Sequence, residues 1–247
     1  MTENALNITT SGLPINDTST GTFSAVALTA KGDLLVHNGS NYTRLAVGTN
    51  GQIFKADSAQ TTGQLWEGLT FSGDLIPIAK ASASSSASIS FTDLDFSTYG
   101  SLFINAINIH PATDNVSLNV LVSVDNGSTY LATGYKYVYK YINATSASDN
   151  INNSASATSF QAATQIGSGL GEGVAGWFIM LPSDDPTNGM KQTIEWQLYG
   201  QDTNTQLNNY WGGGLQQTTS TIDAIKFQFS SGNMTTGDFY LYGYNAS

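Results

Sequence analysis

Two histidines and no cysteine leave this chain little with which to do chemistry at neutral pH. His37 stands before Asn38-Gly39, a pair that favours a tight turn, and His110 ends an apolar run before Pro111. A catalytic histidine needs a nucleophile on one ring nitrogen and an orienting acid on the other. Neither stretch supplies them, so both are expected to be turn or surface residues. The lack of cysteine excludes disulfide staples, thiolate nucleophiles and Cys-based zinc sites. A pair of carboxylates flanking a scissile bond would point to glycoside hydrolysis. The candidates are Glu172, Asp184, Asp185, Glu195 and Asp202, but Glu195 alternates with Trp196 and so points to solvent, and Asp184-Asp185-Pro186 has the make-up of a turn. Asp125-Asn126-Gly127 lacks the spacing and final Glu of a calcium loop, and the glycines between 167 and 176 lack the Gly-Lys-Ser/Thr ending of a phosphate loop. The expectation is a protein without catalytic residues, metal or cofactor.

One segment has the residue types for binding. Asn208, Asn209, Tyr210 and Trp211 precede three consecutive glycines, which reads as a loop. There the aromatic rings could stack on a sugar face while the amides bond its hydroxyls. These four are the candidate glycan contacts. The opposing reading is that Trp211 plugs the end of a core, since large aromatics are usually at least partly buried.

Charge narrows the partners. The net charge is −10, with seven Lys and one Arg, so a phosphate backbone would be repelled and nucleic-acid binding is not expected. No basic helix suggests a membrane surface, and the longest apolar run, Val174 to Leu181, is too short to cross a bilayer. Residues 1–10 carry neither a charged nor an apolar signal region, so secretion by a leader is not expected. Charged residues are only 11% of the chain, and Ser, Thr, Asn, Gln and Gly stand in their place. That balance suits a particle-exposed β protein better than a cytosolic enzyme.

The elements that would position these residues are strands. No stretch has a convincing helical period; short apolar runs bounded by Gly, Asn, Asp and Ser recur instead. Residues 1–24 read as an extended arm without a core of its own. Residues 25–75 read as a small hairpin module, with turns at Lys31-Gly32-Asp33, Asn38-Gly39 and Asn50-Gly51. So few large apolar side chains cannot bury much, so the module must pack on the larger domain or on other copies. Residues 76–247 read as some eight strands of an antiparallel β-sandwich, with jelly-roll order expected. Ala83 to Phe91 is taken as its first strand. The alternations Leu118/Val120/Val122/Val124, Tyr135/Tyr137/Tyr139/Tyr141, Ile194/Trp196/Leu198, Ile225/Phe227/Phe229 and Phe239/Leu241 supply the core.

Two stretches carry a resemblance. The series Lys31-Gly32-Asp33-Leu34-Leu35-Val36, Arg44-Leu45-Ala46-Val47-Gly48-Thr49-Asn50-Gly51-Gln52, Ala56-Asp57-Ser58 and Gly63-Gln64-Leu65-Trp66 resembles a module of phage tail-fibre and other virion proteins. Ile89 to Thr92, Pro111 to Asp114, Val122 to Tyr130, Ile222 to Ile225 and Phe239 to Gly243 resemble a sandwich domain of phage structural proteins. The resemblance implies a structural protein of a tailed-phage virion, of the tail-fibre or head-fibre type. Such a subunit is anchored through its N-terminal part, exposes its sandwich, and contacts other virion proteins (capsid, portal or collar, tail); a host surface glycan would be met through the candidate contacts at Asn208 to Trp211. It also implies a homotrimer, assembled in the host cytoplasm and released by lysis. A capsid decoration or cement protein is the alternative; tail, head and collar stay open.

Overall fold

The computed structural model describes residues 13–16, 23–68, 75–145, 149–183 and 189–244. The chain divides into two units, Met1–Thr70 and Phe71–Ser247. Every sheet is antiparallel, and no helix occurs among the described residues.

The first unit consists of three hairpins: β1 (Leu13–Asn16) with β2 (Phe23–Val26), β3 (Leu34–His37) with β4 (Tyr42–Leu45), and β5 (Gln52–Ala56) with β6 (Gln64–Gly68). The arm expected over residues 1–24 is therefore paired where it is described: Leu13–Asn16 runs in register against Phe23–Val26, while residues 1–12 and 17–22 lie outside the described residues. Polar groups hold this unit together. The Asp33 carboxylate accepts hydrogen bonds from the amides of Thr29 (2.8 Å), Ala30 (2.7 Å) and Val47 (3.1 Å) and from Arg44 Nε (2.6 Å). Its side chain is 0% exposed, and the Arg44 guanidinium, seconded by the amides, holds it well below the usual carboxylate range. Gln52 acts as a second clasp: its Oε1 accepts from the Thr49 amide at 2.7 Å and its Nε2 donates to the Trp66 carbonyl at 3.3 Å.

The second unit is a sandwich of β7 (Leu75–Ser86), β8 (Ile89–Phe91), β9 (Ser101–Pro111), β10 (Val116–Ser123), β11 (Tyr135–Asn143), β12 (Asp149–Ala157), β13 (Phe160–Ile166), β14 (Gly173–Leu181), β15 (Thr193–Gln201), β16 (Leu207–Gln216), β17 (Ala224–Phe229) and β18 (Met234–Tyr244). One sheet has eight strands in the order β12-β11-β16-β15-β14-β9-β18-β7, and the other four, β13-β10-β17-β8. Pairings nest: β7 with β18, β8 with β17, β10 with β13. The expected first strand is split, with β7 and β8 lying in different sheets and Ser85 at φ 52 near the break.

The alternating positions read from the sequence face the core. Leu118, Val120, Ile225 and Phe227 from the small sheet meet Leu102, Ile104, Phe178 and Phe239 from the large one, all fully buried. Each such side chain contributes about 1.5–3 kcal/mol. The Phe227 ring lies 5.0 Å from Phe178 and 4.9 Å from Phe239, closing the two sheets over one another. A bulge at Asn108, φ 52, shifts the parity of β9, so Ile109 faces inward although Leu102, Ile104 and Ala106 would leave it outside. Tyr135 ties the sheets with a polar bond: its hydroxyl accepts from the Val122 amide at 3.0 Å and donates to the Leu131 carbonyl at 2.9 Å. Burial pushes this phenol up to about 12.

Toward β12 an aromatic cluster fills the space between the sheets. Tyr139, Phe160, Trp196 and Tyr210 are buried together, with ring centroids at 6.4 Å for both Tyr139–Trp196 and Phe160–Trp196. Their bulk is accommodated by glycine in β16. A Cβ on Gly212 would sit 2.4 Å from Tyr139 and 2.6 Å from Trp196, and one on Gly214 would sit 2.6 Å from Phe160. Gly213, on the opposite face, would meet nothing closer than 3.4 Å.

Gly212→Ala and Gly214→Ala are therefore expected to lower the unfolding free energy by about 1–3 kcal/mol, and Gly213→Ala to change it by less than about 0.5 kcal/mol, as read by urea denaturation. The β10 turn gives a pH test. The Asp125 carboxylate accepts from Thr129 Oγ1 (2.6 Å), the Thr129 amide (2.8 Å) and Ser123 Oγ (2.7 Å), which lowers it from 3.8 to about 2. A depressed acid stabilises the fold fully above its unfolded value of 3.8 and loses that contribution as pH falls through about 2. Wild type and Asp125→Asn should thus differ in melting temperature near neutrality, with the gap narrowing only below pH 3.8.

Candidate functional site

Asn208 to Trp211 do not form a loop. They lie in β16, in the interior of the eight-stranded sheet, and the triglycine continues the same strand. Gly212 and Gly214 are required by the packing of Tyr139, Trp196 and Phe160 above them, not by mobility. Strand alternation then separates the four residues. Asn208 (0% exposed) and Tyr210 (1%) point into the core, whereas Trp211 is 37% exposed on the outer face and Asn209 is half-buried beside it. Two of the four expected glycan contacts are thus out of reach of any ligand.

The inward pair has structural work. Asn208 Nδ2 donates to the Asp202 carboxylate at 3.3 Å, and Asp202 itself accepts from the amides of Asn204 and Gln206, both at 2.9 Å. The Tyr210 hydroxyl donates to the Thr164 carbonyl of β13 at 2.6 Å, and burial raises its pKa strongly. Asp202, one of the carboxylates considered for hydrolysis, is accordingly a buried loop organiser. Glu172 accepts from the Gly169 amide in the loop before β14, Glu195 lies exposed on the outer sheet face, and Asp184 and Asp185 fall outside the described residues. His37 Nδ1 accepts from the Gly39 amide at 3.2 Å, and His110 is held between Thr235 Oγ1 and the Gly169 carbonyl, both at 3.0 Å. Among the described residues no group of three or more His, Cys, Asp or Glu could hold a metal.

What the structure brings together is a row that the sequence did not reveal. Direct register partners across all eight strands of the large sheet put Ile151, Lys140, Trp211, Gln197, Trp177, Asn105, Tyr240 and Lys80 in one line on the outer face. Phe103 and Tyr242 lie beside it; the Phe103 ring is 6.3 Å from Trp177 and 6.2 Å from Tyr242. Lys140 Nζ sits 5.8 Å from the Trp211 ring centre and 2.8 Å from Asp149 Oδ2. At the other end Lys80 Nζ sits 5.0 Å from the Tyr240 ring centre and 3.3 Å from Asp238 Oδ1. A shallow apolar groove of about 600 Å³ adjoins the row above Gly213, lined by Val138, Leu181, Met190 and Leu215. The only trace of this face in the sequence is the half-apolar alternate register of β9, β14 and β18, where Phe103, Trp177 and Tyr242 occupy positions that solvent-facing strands usually give to polar residues.

Trp211→Ala should therefore cost no more than about 1 kcal/mol of stability, while Tyr210→Ala should cost about 3–5 kcal/mol, as measured by chemical denaturation of the two variants. Comparable losses for both would mean that Trp211 is a core plug. Comparison of the chain with family models, with curated proteins and with solved structures gives no match.

Proposed function

We propose that this protein is a structural subunit of a bacteriophage particle. It is exposed at the virion surface, attached through the hairpin unit and assembled as a homotrimer. The observation that carries the reading is the state of the first unit. From Val26 to Gly68 no hydrophobic residue is fully buried, and Leu28, Tyr42, Val47, Ile53 and Phe54 are each 44–46% exposed. Hairpins without a buried apolar core are marginal in water, so this unit is built to be completed by another surface.

The residues that carry the resemblance to phage fibre modules are also those that fix the unit's geometry, which supports the same reading. Asp33 and Arg44 form its central ion pair, and Gln52 joins the Thr49 turn to Trp66. Trp66 lies over Gly48, where a Cβ would come within 2.7 Å of the indole. The nested pairing of the sandwich fits a jelly roll in which β11–β12 and β15–β16 are insertions that widen one sheet. Exposed, sparsely charged sandwiches of this kind suit display on a particle that leaves its host by lysis.

Light scattering on the purified chain is expected to give about three times the 26.1 kDa chain mass, and Ile53→Asp with Phe54→Asp to return it to one. Gold-labelled antibody against the sandwich should decorate the surface of intact particles. A stable monomer, or particles without label, would refute the assignment.

A further inference from the structure

We infer that the outer face of the eight-stranded sheet is a binding platform for an uncharged polysaccharide, which lies across the strands along the row Trp211–Gln197–Trp177–Asn105–Tyr240. The inference rests on the surface-display reading only for where the sugar is met; the site itself stands on three observations.

The first is the alternation of chemistry. Along the row, ring, amide, ring, amide and ring follow on successive strands. Neighbouring strands lie about 4.8 Å apart, so successive rings stand about 10 Å apart. That is the length of two sugar units in an extended chain. Rings offer apolar contact to the C–H face of every second sugar, and the amides between them offer both donors and acceptors to hydroxyls. Gln197 is already oriented: its Nε2 donates to the Tyr199 hydroxyl at 2.6 Å.

The second is charge complementarity. The outward positions of this sheet carry Lys80, Lys136 and Lys140 against Asp149, Glu195 and Asp238, a balance of zero in a chain of net charge −10. The lysines at the ends of the row are paired with Asp149 and Asp238. The face itself thus carries no net charge with which to select an acidic or basic partner, which matches a neutral glycan.

The third is the contrast with the other sheet. The outer face of the small sheet carries Ser90, Asn119, Lys226 and Gln228 at paired positions, with Leu121 the large apolar residue among them. The same fold thus covers one outer face with ordinary polar residues and gives the other an aromatic row.

The test uses the full-length protein with cellohexaose, maltohexaose and chitohexaose, read by saturation-transfer NMR, with polygalacturonate as the acidic control. At least one neutral hexasaccharide should bind at about millimolar strength and more tightly than its disaccharide. Trp177→Ala should weaken binding about tenfold, and Gln197→Leu, which keeps the strand but removes the amide, should weaken it also. Lys226→Ala, on the opposite sheet, should leave it unchanged. Melting temperatures identify any variant that fails to fold, in which case Gln197→Leu decides. Absence of binding to all three neutral sugars, or preference for the acidic one, overturns the inference. So does a Trp177→Ala variant that binds as wild type, or one whose oligomeric mass changes instead, since a second copy would then be the occupant. Failure here with antibody labelling of particles intact would leave the virion assignment standing, and the reverse result would leave the glycan platform standing.

Discussion

The unequal width of the two sheets is the constraint on which the sandwich depends. Four strands cannot cover the inner face of eight. Beneath β17, β10 and β8 the cover is complete, and the core there is aliphatic and phenylalanine-rich. Further toward β12 the only overhead strand among the described residues is β13, and the side chains reaching for it become tyrosine and tryptophan. Tyr139, Tyr210 and Trp196 span the gap, and the tyrosine hydroxyls bond at its margin, Tyr210 to the Thr164 carbonyl and Tyr139 to Asn152. At the uncovered edge itself, β12 presents Asn150, Asn152 and Ser154 inward, because an apolar residue there would face water. Gly212 and Gly214 of β16 follow from the same constraint, since large rings above a strand leave no room for side chains on that face.

This explains which parts of the structure were legible in the sequence. Strands whose inner face is fully covered alternate clearly, as in Leu118/Val120/Val122 and Ile225/Phe227/Phe229, and were read correctly. β12 and most of β13 escaped notice because Asp-Asn-Ile-Asn-Asn-Ser-Ala-Ser-Ala carries almost no apolar signal at an edge, and Gln161 to Gln165 has only alanines facing a crowded neighbour. The triglycine was misread as a loop because glycine signals freedom locally and close approach only in three dimensions. The candidate site suffered the same loss. Trp211 was visible as an aromatic with amides nearby, but its partners Trp177, Asn105 and Tyr240 are far away in sequence and meet it only through register. No local pattern encodes a line drawn across strands.

The hairpin unit answers a different problem, how to hold a shape with almost no hydrophobic burial. It does so by gathering donors around one carboxylate. Asp33 fixes the Thr29–Ala30 turn, the Val47 amide and Arg44 in one cluster, linking the β3–β4 hairpin to the chain on both sides. Such a cluster defines geometry at small cost in apolar surface, leaving Ile53, Phe54, Tyr42 and Leu28 exposed. The sandwich invests its apolar residues inward; the hairpin unit keeps them outward. Within one chain, burial and exposure of apolar side chains are thus assigned to separate units.

The nested pairing of β7 with β18 bears on the order in which the molecule can be made. Ser82 and Asp238, bonded across that pair, are 156 positions apart. As the chain leaves the ribosome, β7 emerges early and finds its neighbour only when β18 follows; β8 likewise waits for β17. Until then these strands expose open backbone groups, the condition under which nascent chains stick to one another. The make-up of β7 suits that wait. Its Ala-Ser-Ala-Ser-Ser-Ser run, preceded by Pro77 and Lys80, is too weakly apolar to template a foreign strand, yet narrow enough to lie flat against the Met234–Phe239 stretch of β18 once it arrives. What looks in the sequence like low complexity is, on this view, protection during a long period without a partner.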